Sequence, residues 1–354
     1  MHIQRGAWAE INLDAIAHNV QMAKANLKPT TKLCAVVKAD AYGHGAVRVA
    51  QEAARNGADF FAVALLQEGV KLREAGIETP ILVLGSMLPE VAEICVRYDI
   101  SHAVFDEERL YALNAAALKL HTKAKIHIKI DTGMHRIGVH VRDAGRFAKL
   151  AASLPGIYIE GVFSHFATAD ADDKQYAAYQ FERFQEALRL IEAEGVHIPI
   201  RHIANSAALT ELQEYQLDMV RQGITLYGLH PAHMIDCYKD FEPVMTVKTQ
   251  VAFVKTLPPG ETIGYGRTYT LTRPSVIATV PIGYADGVSR RLSNRGYMLV
   301  NGKKLTDAQN LLATYERDLE SLNQWVDSDK TKYSAVKTEI GKLAAETRTK
   351  LEGC

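Results

Sequence analysis

The sequence contains little cysteine, no long apolar run and no excess of either charge. Only four of its 354 residues are cysteines, and none lies in a CxxC pair or at metal-ligand spacing. This scarcity excludes a disulfide framework and a cysteine-ligated zinc site, and it is typical of a reducing compartment. No apolar stretch approaches the ~18 residues of a membrane-spanning helix, and residues 1–6 lack the apolar core of a secretory signal. We therefore predict a cytoplasmic protein without a membrane segment or a metal site.

Positive and negative charges balance, with 41 Lys and Arg residues against 41 Asp and Glu residues. This balance argues against the basic surface that nucleic-acid binding requires, so nucleic acid is not a predicted partner. The chain is 47% hydrophobic and 23% charged, as is usual for a globular protein. Its length allows two domains, or one large barrel with a smaller domain.

Short apolar runs alternate with amphipathic stretches from about residue 13 to residue 230. Eight such alternations predict a parallel sheet covered by helices, and that number favours a closed (β/α)8 barrel within residues 1–238. A doubly wound open sheet is the alternative, although no GxGxxG follows any predicted strand. The predicted strands are 33–37, 60–65, 81–84, 102–105, 126–130, 158–163, 202–204 and 219–220, and examples of the predicted helices are 15–27, 46–56 and 173–194.

The pattern changes near residue 239. Apolar and polar residues alternate over 245–253, which predicts an antiparallel strand with one solvated face. Further strands are predicted at 276–280 and 297–300, and Asn301-Gly302 is a strong hairpin signal. The return strand expected after that turn is missing from the pattern. We therefore predict a partial β domain at 239–304.

Residues 305–354 have a different texture. They contain no proline, and their apolar residues recur at helical spacing, which predicts two amphipathic helices with Thr306 as the first N-cap. Their polar residues fit solvated faces and suggest no chemistry. We predict that this helical tail serves packing or self-association.

The residues best suited to chemistry follow the predicted strands, where the active sites of parallel barrels lie. Lys38 comes directly after the strand 33–37. A lysine held against apolar neighbours loses hydration, so its pKa falls and its amine becomes a nucleophile toward carbonyls. From position alone, the preferred interpretation of Lys38 is a strand-end lysine whose ammonium group reaches solvent.

Two arginines and an Asn-Ser pair occupy equivalent positions on other loops. Arg136 follows the strand 126–130 and Arg221 follows the strand 219–220, and a planar guanidinium can bind a carboxylate or a phosphate with two hydrogen bonds. Asn205 and Ser206 predict a helix start, where backbone N–H groups face an anion. Either arginine alone would be read as an ordinary surface ion-pair residue. Together with Lys38, these residues predict a site for a carbonyl cofactor that carries a phosphate.

The segment AVVKADAYGHG at 35–45 resembles the pyridoxal-phosphate attachment motif of the alanine racemases. The similarity extends over residues 3–303, and six further segments match that family in order and spacing: KIDTGMHRIG (129–138), FSHFATAD (163–170), HIANSAA (202–208), VRQGITLYGL (220–229), IGYGRTY (263–269) and VPIGYADG (280–287). The resemblance implies a (β/α)8 barrel followed by a mostly β domain. It also implies a homodimer whose active sites use both subunits.

The resemblance also implies roles for individual residues. Lys38 would hold pyridoxal phosphate as a Schiff base and move a proton on one face of the substrate Cα. Tyr265, supplied by the other subunit, would act on the opposite face. Arg136 and Tyr284 would contact the substrate, and Lys129 matches a position that is often carbamylated. The remaining cofactor contacts implied by the resemblance are Tyr42, His165, Asn205, Ser206, Arg221, Gly223, Ile224 and Tyr227.

Arg221 connects the resemblance to a reaction type. It matches the residue that faces the pyridine nitrogen, and a guanidinium does not give up its proton near neutral pH. The nitrogen then stays unprotonated and the ring is a weaker electron sink, which favours racemisation over transamination. A decarboxylase on the same type of barrel would carry an acidic residue there, so Arg221 disfavours that alternative. Stereoinversion itself requires two bases on opposite faces of the substrate.

The predicted function is the interconversion of L- and D-alanine, which supplies D-alanine for cell-wall synthesis. Two alternatives stay open: a racemase of another small amino acid such as serine, and a non-catalytic scaffold that binds pyridoxal phosphate. The resemblance ends after Lys304, where the family continues through further β strands. We interpret 305–354 as a foreign or engineered module on a truncated family member, with a natural divergent tail as the alternative. Catalysis is expected to suffer from this change more than the fold or cofactor binding.

Overall fold

The computed structural model of the chain describes residues 6–231 and 238–300 and the backbone of 303–304. The predicted helical tail, including Thr306, lies outside the described residues. The chain divides into two compact units. One is Ala9–Thr246, and the other combines residues 6–8 with the described residues from Val247 onward. No helix in the described part of the chain is long and apolar enough to cross a membrane.

The first ten strands and all nine labelled helices precede residue 223. In chain order the strands are β1 (Ala7–Ile11), β2 (Lys32–Val36), β3 (Phe60–Val63), β4 (Ile81–Val83), β5 (Ser101–Val104), β6 (Ala124–Asp131), β7 (Val139–His140), β8 (Ile157–Phe163), β9 (Ile200–His202) and β10 (Met219–Gln222). The helices are α1 (Leu13–Ala25), α2 (Lys38–Tyr42), α3 (Ala46–Arg55), α4 (Leu66–Glu74), α5 (Ala92–Arg97), α6 (Glu107–Lys119), α7 (Ala144–Ser153), α8 (Gln175–Ala193) and α9 (Ser206–Glu211).

Eight of these strands form one parallel sheet in the order β10-β2-β3-β4-β5-β6-β8-β9. Two backbone hydrogen bonds then join the ends of the sheet: Asp218 N donates to Arg201 O (3.0 Å), and Arg221 N donates to Ala204 O (3.1 Å). The sheet therefore curves into a nearly closed eight-stranded barrel with helices between its strands. The barrel prediction is confirmed, and the open-sheet alternative is wrong.

The barrel strands are buried because they are covered on both faces, as expected for a parallel sheet between helices and a packed interior. Strands β3 and β4 are wholly apolar for this reason, and β2 is apolar after Lys32. On the outer face α1 buries Ala15, Ile16 and Val20, and Asn12 caps this helix by accepting hydrogen bonds from two backbone N–H groups of its first turn. A second apolar cluster packs together from alternate strand positions: Cys34, Val36, Phe60, Ala62, Leu82, Ile200 and Met219.

A β-bulge interrupts the pairing of β6 with β8. Ile126 pairs with Ile159 and His127 pairs with Gly161, so Glu160 has no partner in the register. The extra residue turns two consecutive positions toward the same side, because the Glu160 carboxylate contacts His127 and a Cβ at Gly161 would also point at His127. Bulges commonly redirect a side chain in this way.

Alanine at position 161 is expected to destabilise the barrel by about 1–3 kcal/mol, the usual cost of overpacking a core. Its Cβ would lie 2.5 Å from His127 Nδ1 and 2.6 Å from the Ile200 carbonyl oxygen, and that carbonyl belongs to a neighbouring strand. Urea unfolding of Gly161→Ala and Gly161→Ser measures the effect, and serine should cost more than alanine. Unchanged midpoints for both variants would contradict this account of the bulge.

The remaining strands are short and antiparallel. They are β11 (Met245–Thr249), β12 (Phe253–Leu257), β13 (Thr262–Ile263), β14 (Tyr269–Thr270), β15 (Ser275–Thr279), β16 (Leu299–Val300) and β17 (Lys303–Lys304). β1 pairs with β11, β12 with β15, β13 with β14, and β16 with β17.

Two predictions for this region need correction. The single strand expected over 245–253 is two strands, because the backbone changes partner: Gln250 N still donates to the Gly6 carbonyl beside β1, whereas Ala252 N donates to the Thr279 carbonyl of another strand. A return strand does exist after Val300: Val300 pairs with Lys303 and Leu299 with Lys304. Two lysines carry no apolar alternation, so the sequence pattern could not reveal a strand held by backbone pairing. The hairpin prediction is confirmed, and its Asn301-Gly302 turn lies outside the described residues.

Candidate active site

A cavity of about 560 Å³ lies where barrel strands reach their carboxyl ends. Residues that follow or end β2, β6, β8, β9 and β10 line it, as expected for a parallel barrel. Its lining includes ten of the residues singled out from the sequence: Lys38, Tyr42, Lys129, Arg136, His165, Asn205, Ser206, Arg221, Gly223 and Ile224. These residues come from five separate segments of the chain, and the fold brings them together.

Lys38 begins a left-handed turn. The four residues after it, from Ala39 to Tyr42, have φ angles between 51° and 56°. This conformation costs L-residues roughly 1–2 kcal/mol each, so other contacts must hold the turn. Asp40 provides two of them, because its Oδ1 accepts hydrogen bonds from Ala46 N and Lys71 Nζ, each at 3.1 Å. The turn presents Lys38 and Tyr42 to the same cavity.

The Lys38 amine lies in an environment that disfavours its charge. Burial lowers the pKa of Lys38, and the nearby cations Arg136 and Arg221 lower it further, against an opposing effect of Glu68. Its Nζ lies 5.9 Å from the centre of the Tyr42 ring. A lower pKa increases the share of neutral amine, and the neutral amine is the form that attacks a carbonyl carbon. The nucleophilic interpretation of Lys38 therefore has more support than the strand-end alternative.

Two hydroxyl groups converge on Gly223. Ser206 Oγ accepts hydrogen bonds from Gly223 N (2.8 Å) and Thr225 N (3.4 Å), which leaves its own proton free to donate. A Cβ at Gly223 would lie 3.5 Å from the Tyr42 hydroxyl and 3.7 Å from Ser206 Oγ. Burial raises the pKa of Tyr42, so its phenol also keeps its proton. Asn205 supports this corner by capping α9 through Ala208 N (3.1 Å).

Arg221 is buried, and both terminal nitrogens of its guanidinium are hydrogen-bonded. Its Nη1 donates to His202 Nδ1 (2.8 Å), and its Nη2 lies 2.9 Å from the acceptors His165 Nδ1, Ser164 O and Ile203 O. Burial lowers the pKa of Arg221 to about 10, which leaves the guanidinium charged at neutral pH. The site therefore contains a fixed cation that donates hydrogen bonds.

His165 is neutral beside this cation. Burial holds the pKa of His165 well below its usual value, and the charge of Arg221 adds to the effect. Because Arg221 only donates, His165 Nδ1 must accept, and the ring proton lies on Nε2. His165 therefore presents a neutral N–H group rather than a charge.

Lys129 lies on β6 with 3% of its surface exposed. Its Nζ donates to the Ile130 carbonyl at 2.6 Å and lies 5.5 Å from the centre of the Phe163 ring. Burial lowers the pKa of Lys129 to about 7, and Arg221 contributes to the shift. Near neutral pH a substantial part of this amine is therefore uncharged.

The Lys129 shift predicts a pH-dependent stability. Between pH 7 and pH 10.5 the unfolded chain holds a proton at this position that the folded chain has lost, so the free energy of unfolding rises with pH. The contribution has a maximum slope of about 1.4 kcal/mol per pH unit. Lys129→Met should lack it. Urea unfolding in CO2-free buffer at several pH values in this range measures the slopes.

Lys125→Met is the matched control for that comparison. Lys125 lies on the same strand, but its amine pairs with Asp99 at 2.7 Å near the surface. This variant should keep the wild-type slope. Equal slopes for wild type and Lys129→Met would contradict the assignment.

Three predicted site residues lie elsewhere. Tyr227 is buried next to the cavity, where its ring centre lies 4.9 Å from that of Tyr42 and its hydroxyl donates to Val36 O (2.8 Å). It supports the Tyr42 ring, and its contact with a phosphate stays a prediction. Tyr265 and Tyr284 belong to the second unit, with 96% and 72% of their surfaces exposed.

Sequence reasoning missed several lining residues. Phe163 packs against two basic side chains, since its ring centre lies 5.5 Å from both Lys129 Nζ and the Arg221 guanidinium carbon. It stood inside a recognised segment, but a phenylalanine at the end of a strand gives no chemical signal. Gly85 and Ser86 follow β4 and also line the cavity. The only sequence signal for these two residues was their small size at the carboxyl end of a strand. Gly85 must be small there, because a Cβ would lie 2.4 Å from Ala64 O.

The chain is similar to proteins of one family over most of its length. Residues 11–231 match the family model described as alanine racemase, N-terminal domain, and residues 244–308 match that of its C-terminal domain. The alanine racemase of Desulfovibrio desulfuricans is 46% identical over 300 residues, which cover 85% of this chain and 81% of that protein.

Solved structures agree with the sequence matches. The alanine racemase of Clostridium difficile has a TM-score of 0.77 and 40% identity, covering 82% of this chain and 76% of that one. The Bacillus anthracis alanine racemase with bound L-Ala-P has a TM-score of 0.79 and 38% identity, covering 86% of this chain and 79% of that one. Both family models, the sequence relatives and the structural neighbours agree, and the chain therefore belongs to the alanine racemase family.

Proposed function

We propose that this chain interconverts L- and D-alanine with pyridoxal phosphate as its cofactor. The observation that carries the proposal is the convergence in one cavity of an amine of lowered pKa, Lys38, with a fixed guanidinium, Arg221. Sequence and structural relatives named alanine racemase support it. The cavity volume of about 560 Å³ falls within the range usual for cofactor sites.

The lining residues fit the chemical groups of this cofactor. The free hydroxyl protons of Ser206 and Tyr42, with the open space at Gly223, suit a phosphate. Arg221 suits an unprotonated pyridine nitrogen because it is a donor that keeps its proton. Lys38 suits the aldehyde. When bound, pyridoxal phosphate condenses with primary amines and withdraws electron density from the substrate Cα.

The protein's own residues would then remove and return the proton of the substrate Cα, one residue on each face. Lys38 accepts or returns a proton at one face of the substrate Cα, and its lowered pKa increases the share of neutral amine that can act as a base. Arg221 does not release a proton, and this favours return of the proton to Cα over its delivery to another carbon. The same property disfavours decarboxylation on this barrel.

The second base is assigned to Tyr265 of another copy of the chain, so we infer a homodimer with shared active sites. Tyr265 and Tyr284 are exposed in the chain described here, although a catalytic phenol must work away from bulk water. Covering both tyrosines with a second copy would remove this conflict. Tyr284 is assigned to the substrate side of the shared site.

Arg136 and Lys129 are assigned to the substrate and to its orientation. Arg136 lines the cavity with an exposed guanidinium, which suits the carboxylate of a small amino acid. The neutral amine of Lys129 can add CO2, and the resulting carbamate would pair with Arg136.

Intact mass spectrometry in bicarbonate should detect one added CO2 on the wild-type protein, and Lys129→Met should lack this added mass.

The protein is proposed to act in the cytoplasm, where D-alanine would enter cell-wall synthesis. Titration with pyridoxal phosphate, reduction with borohydride and peptide mass spectrometry would test the cofactor site. Chiral chromatography of L-alanine, D-alanine and L-serine incubations would test turnover. A label on Lys38 together with alanine interconversion supports the proposal.

Other outcomes of the same experiments separate the alternatives. Faster turnover of serine than of alanine would replace the substrate assignment with the related specificity. A label on Lys38 without any turnover would support the non-catalytic scaffold and overturn the racemase. A label elsewhere, or no label, would overturn the cofactor assignment.

A further inference from the structure

A continuous chain of hydrogen bonds runs from Arg221 to Glu160. Arg221 Nη1 lies 2.8 Å from His202 Nδ1, His202 Nε2 lies 2.9 Å from His127 Nδ1, and His127 Nε2 lies 3.0 Å from Glu160 Oε2. Both histidines are 0% exposed. Ser101 donates a further hydrogen bond to Glu160 Oε2. The four groups of this hydrogen-bond chain lie on four barrel strands, from the cavity lining at Arg221 to the bulge on β8.

The direction of every hydrogen bond in this chain is fixed. Arginine can only donate, so His202 Nδ1 accepts and the proton of His202 lies on Nε2. His127 Nδ1 therefore accepts from His202, and the proton of His127 lies on Nε2, where Glu160 accepts it. Each group donates to the next, from the guanidinium to the carboxylate. Both rings are neutral in this arrangement.

The surroundings favour these protonation states. Burial holds the pKa of His202 well below its usual value, and the Arg221 charge adds to the effect. Burial by itself raises the pKa of Glu160, but hydrogen bonds from His127 and Ser101 outweigh it and the net shift is downward. A cation and an anion therefore end the chain, with two neutral rings between them.

The hydrogen-bond chain depends on two features of β8, the bulge at Glu160 and the glycine at position 161. The bulge turns Glu160 toward His127, and Gly161 leaves room for the His127 ring. Burying two imidazoles and a carboxylate costs free energy that apolar side chains of similar size would not. Within the described residues, no group of three or more His, Cys, Asp or Glu is arranged to hold a metal ion. A packing role or a metal site does not account for the arrangement.

Without an acceptor at position 160, the donor-to-acceptor direction of these hydrogen bonds could reverse. His127 would then carry its proton on Nδ1 and donate to His202 Nε2, and His202 would carry its proton on Nδ1. That proton would face Arg221 Nη1, and two donors would oppose each other at 2.8 Å. Glu160 prevents this reversal because its carboxylate accepts but cannot donate when ionised.

We propose that Glu160 is a positioning residue that fixes the tautomers of His127 and His202 and so holds Arg221 in its cavity-facing orientation. The consequence for cofactor binding rests on the proposed function, in which Arg221 faces the pyridine nitrogen. The tautomers of His127 and His202 depend on the protein alone and do not require a bound cofactor.

The first test uses the wild-type protein without added cofactor. Nitrogen-15 NMR of histidine-labelled protein, assigned with His127→Gln and His202→Gln, distinguishes protonated from bare ring nitrogens. We expect Nε2–H with bare Nδ1 for both residues at neutral pH. A proton on Nδ1 of either residue, or a charged ring, overturns the proposal.

The second test compares Glu160→Leu with Glu160→Gln. Leucine removes the acceptor, so we expect mixed His202 tautomers and about tenfold weaker binding of pyridoxal phosphate, the scale associated with outer-shell hydrogen-bond partners. Glutamine can place its amide oxygen where Glu160 Oε2 accepts from both His127 and Ser101, so it should retain the wild-type tautomers and most of the affinity. Glu52→Gln, on the surface helix α3, is the control and should change neither. Wild-type tautomers and affinity in Glu160→Leu overturn the proposal.

Failure of this inference and failure of the proposed function give different results. If wild type binds and uses pyridoxal phosphate but Glu160→Leu keeps both tautomers and affinity, only the positioning role is wrong. If wild type does not bind the cofactor, the proposed function is wrong, and the NMR measurement still decides whether the directed chain exists. A folded Glu160→Gln protein with restored tautomers separates positioning from a purely structural effect, which would lower stability without moving the ring protons.

Discussion

Replacing Lys38 with alanine is expected to abolish the covalent attachment of pyridoxal phosphate and to lower alanine racemisation by about 10⁴-fold or more. Removal of a single general base lowers the rate by up to about 10⁴-fold. We expect at least that loss, because the variant also lacks the amine that holds the aldehyde. Lys38→Arg should behave in the same way, because a guanidinium stays protonated and cannot act as a nucleophile. Borohydride trapping and a chiral assay measure the two effects separately.

Lys32→Arg provides the matched control. Lys32 lies at the other end of the same strand, β2, where it is exposed. This variant should keep both cofactor attachment and turnover. Substantial racemisation by Lys38→Ala, or loss of attachment in Lys32→Arg, would contradict the role assigned to Lys38.

Replacing Tyr265 with phenylalanine is expected to lower racemisation by about 10²–10⁴-fold, the range for one acid–base group, while cofactor attachment at Lys38 persists. Only one face of the substrate would then lack its base. Exchange of the Cα hydrogen with D2O should continue for one enantiomer of alanine and nearly stop for the other, as mass spectrometry can show. Tyr269→Phe changes a neighbouring exposed tyrosine and should have little effect. Symmetric loss of exchange would contradict the two-base assignment.

A mixture of two inactive variants tests the shared site. If each site combines Lys38 of one copy with Tyr265 of another, unfolding and refolding Lys38→Ala with Tyr265→Phe in equal amounts gives one competent site in each mixed dimer. Half of the dimers would be mixed, so about a quarter of wild-type activity should return. No recovery, with mixed dimers demonstrated by mass spectrometry, would contradict a site shared between copies.

The barrel and most of its rim could be predicted from the sequence because both depend on local patterns. Eight apolar runs separated by amphipathic stretches indicate a parallel sheet wherever the connections are helical. Polar residues at strand ends must then meet at one end of the barrel, so Lys38, Arg136 and Arg221 could be placed together before their contacts were known.

Other features depend on geometry that has no sequence signal of its own. The bulge at Glu160 breaks the alternation by which inward residues are recognised, so the sequence gives no sign that this carboxylate is turned inward. His127 and His202 are 75 residues apart, and only the closed barrel brings their rings together. The exposure of Tyr265 is a property of the second unit, whose short strands rely on backbone pairing. The resemblance could name this tyrosine, but local patterns could not.

The left-handed turn after Lys38 has a consequence for protein engineering. Elsewhere in an ordered segment, exchanging alanine for glycine usually weakens a protein, because the freer residue has more conformations to give up. At Ala39 the sign should reverse, since glycine visits mirror-image backbone angles without penalty. Directed evolution toward heat tolerance could therefore find its gains beside the reactive amine itself, at the cost of a looser hold on the group that does the chemistry.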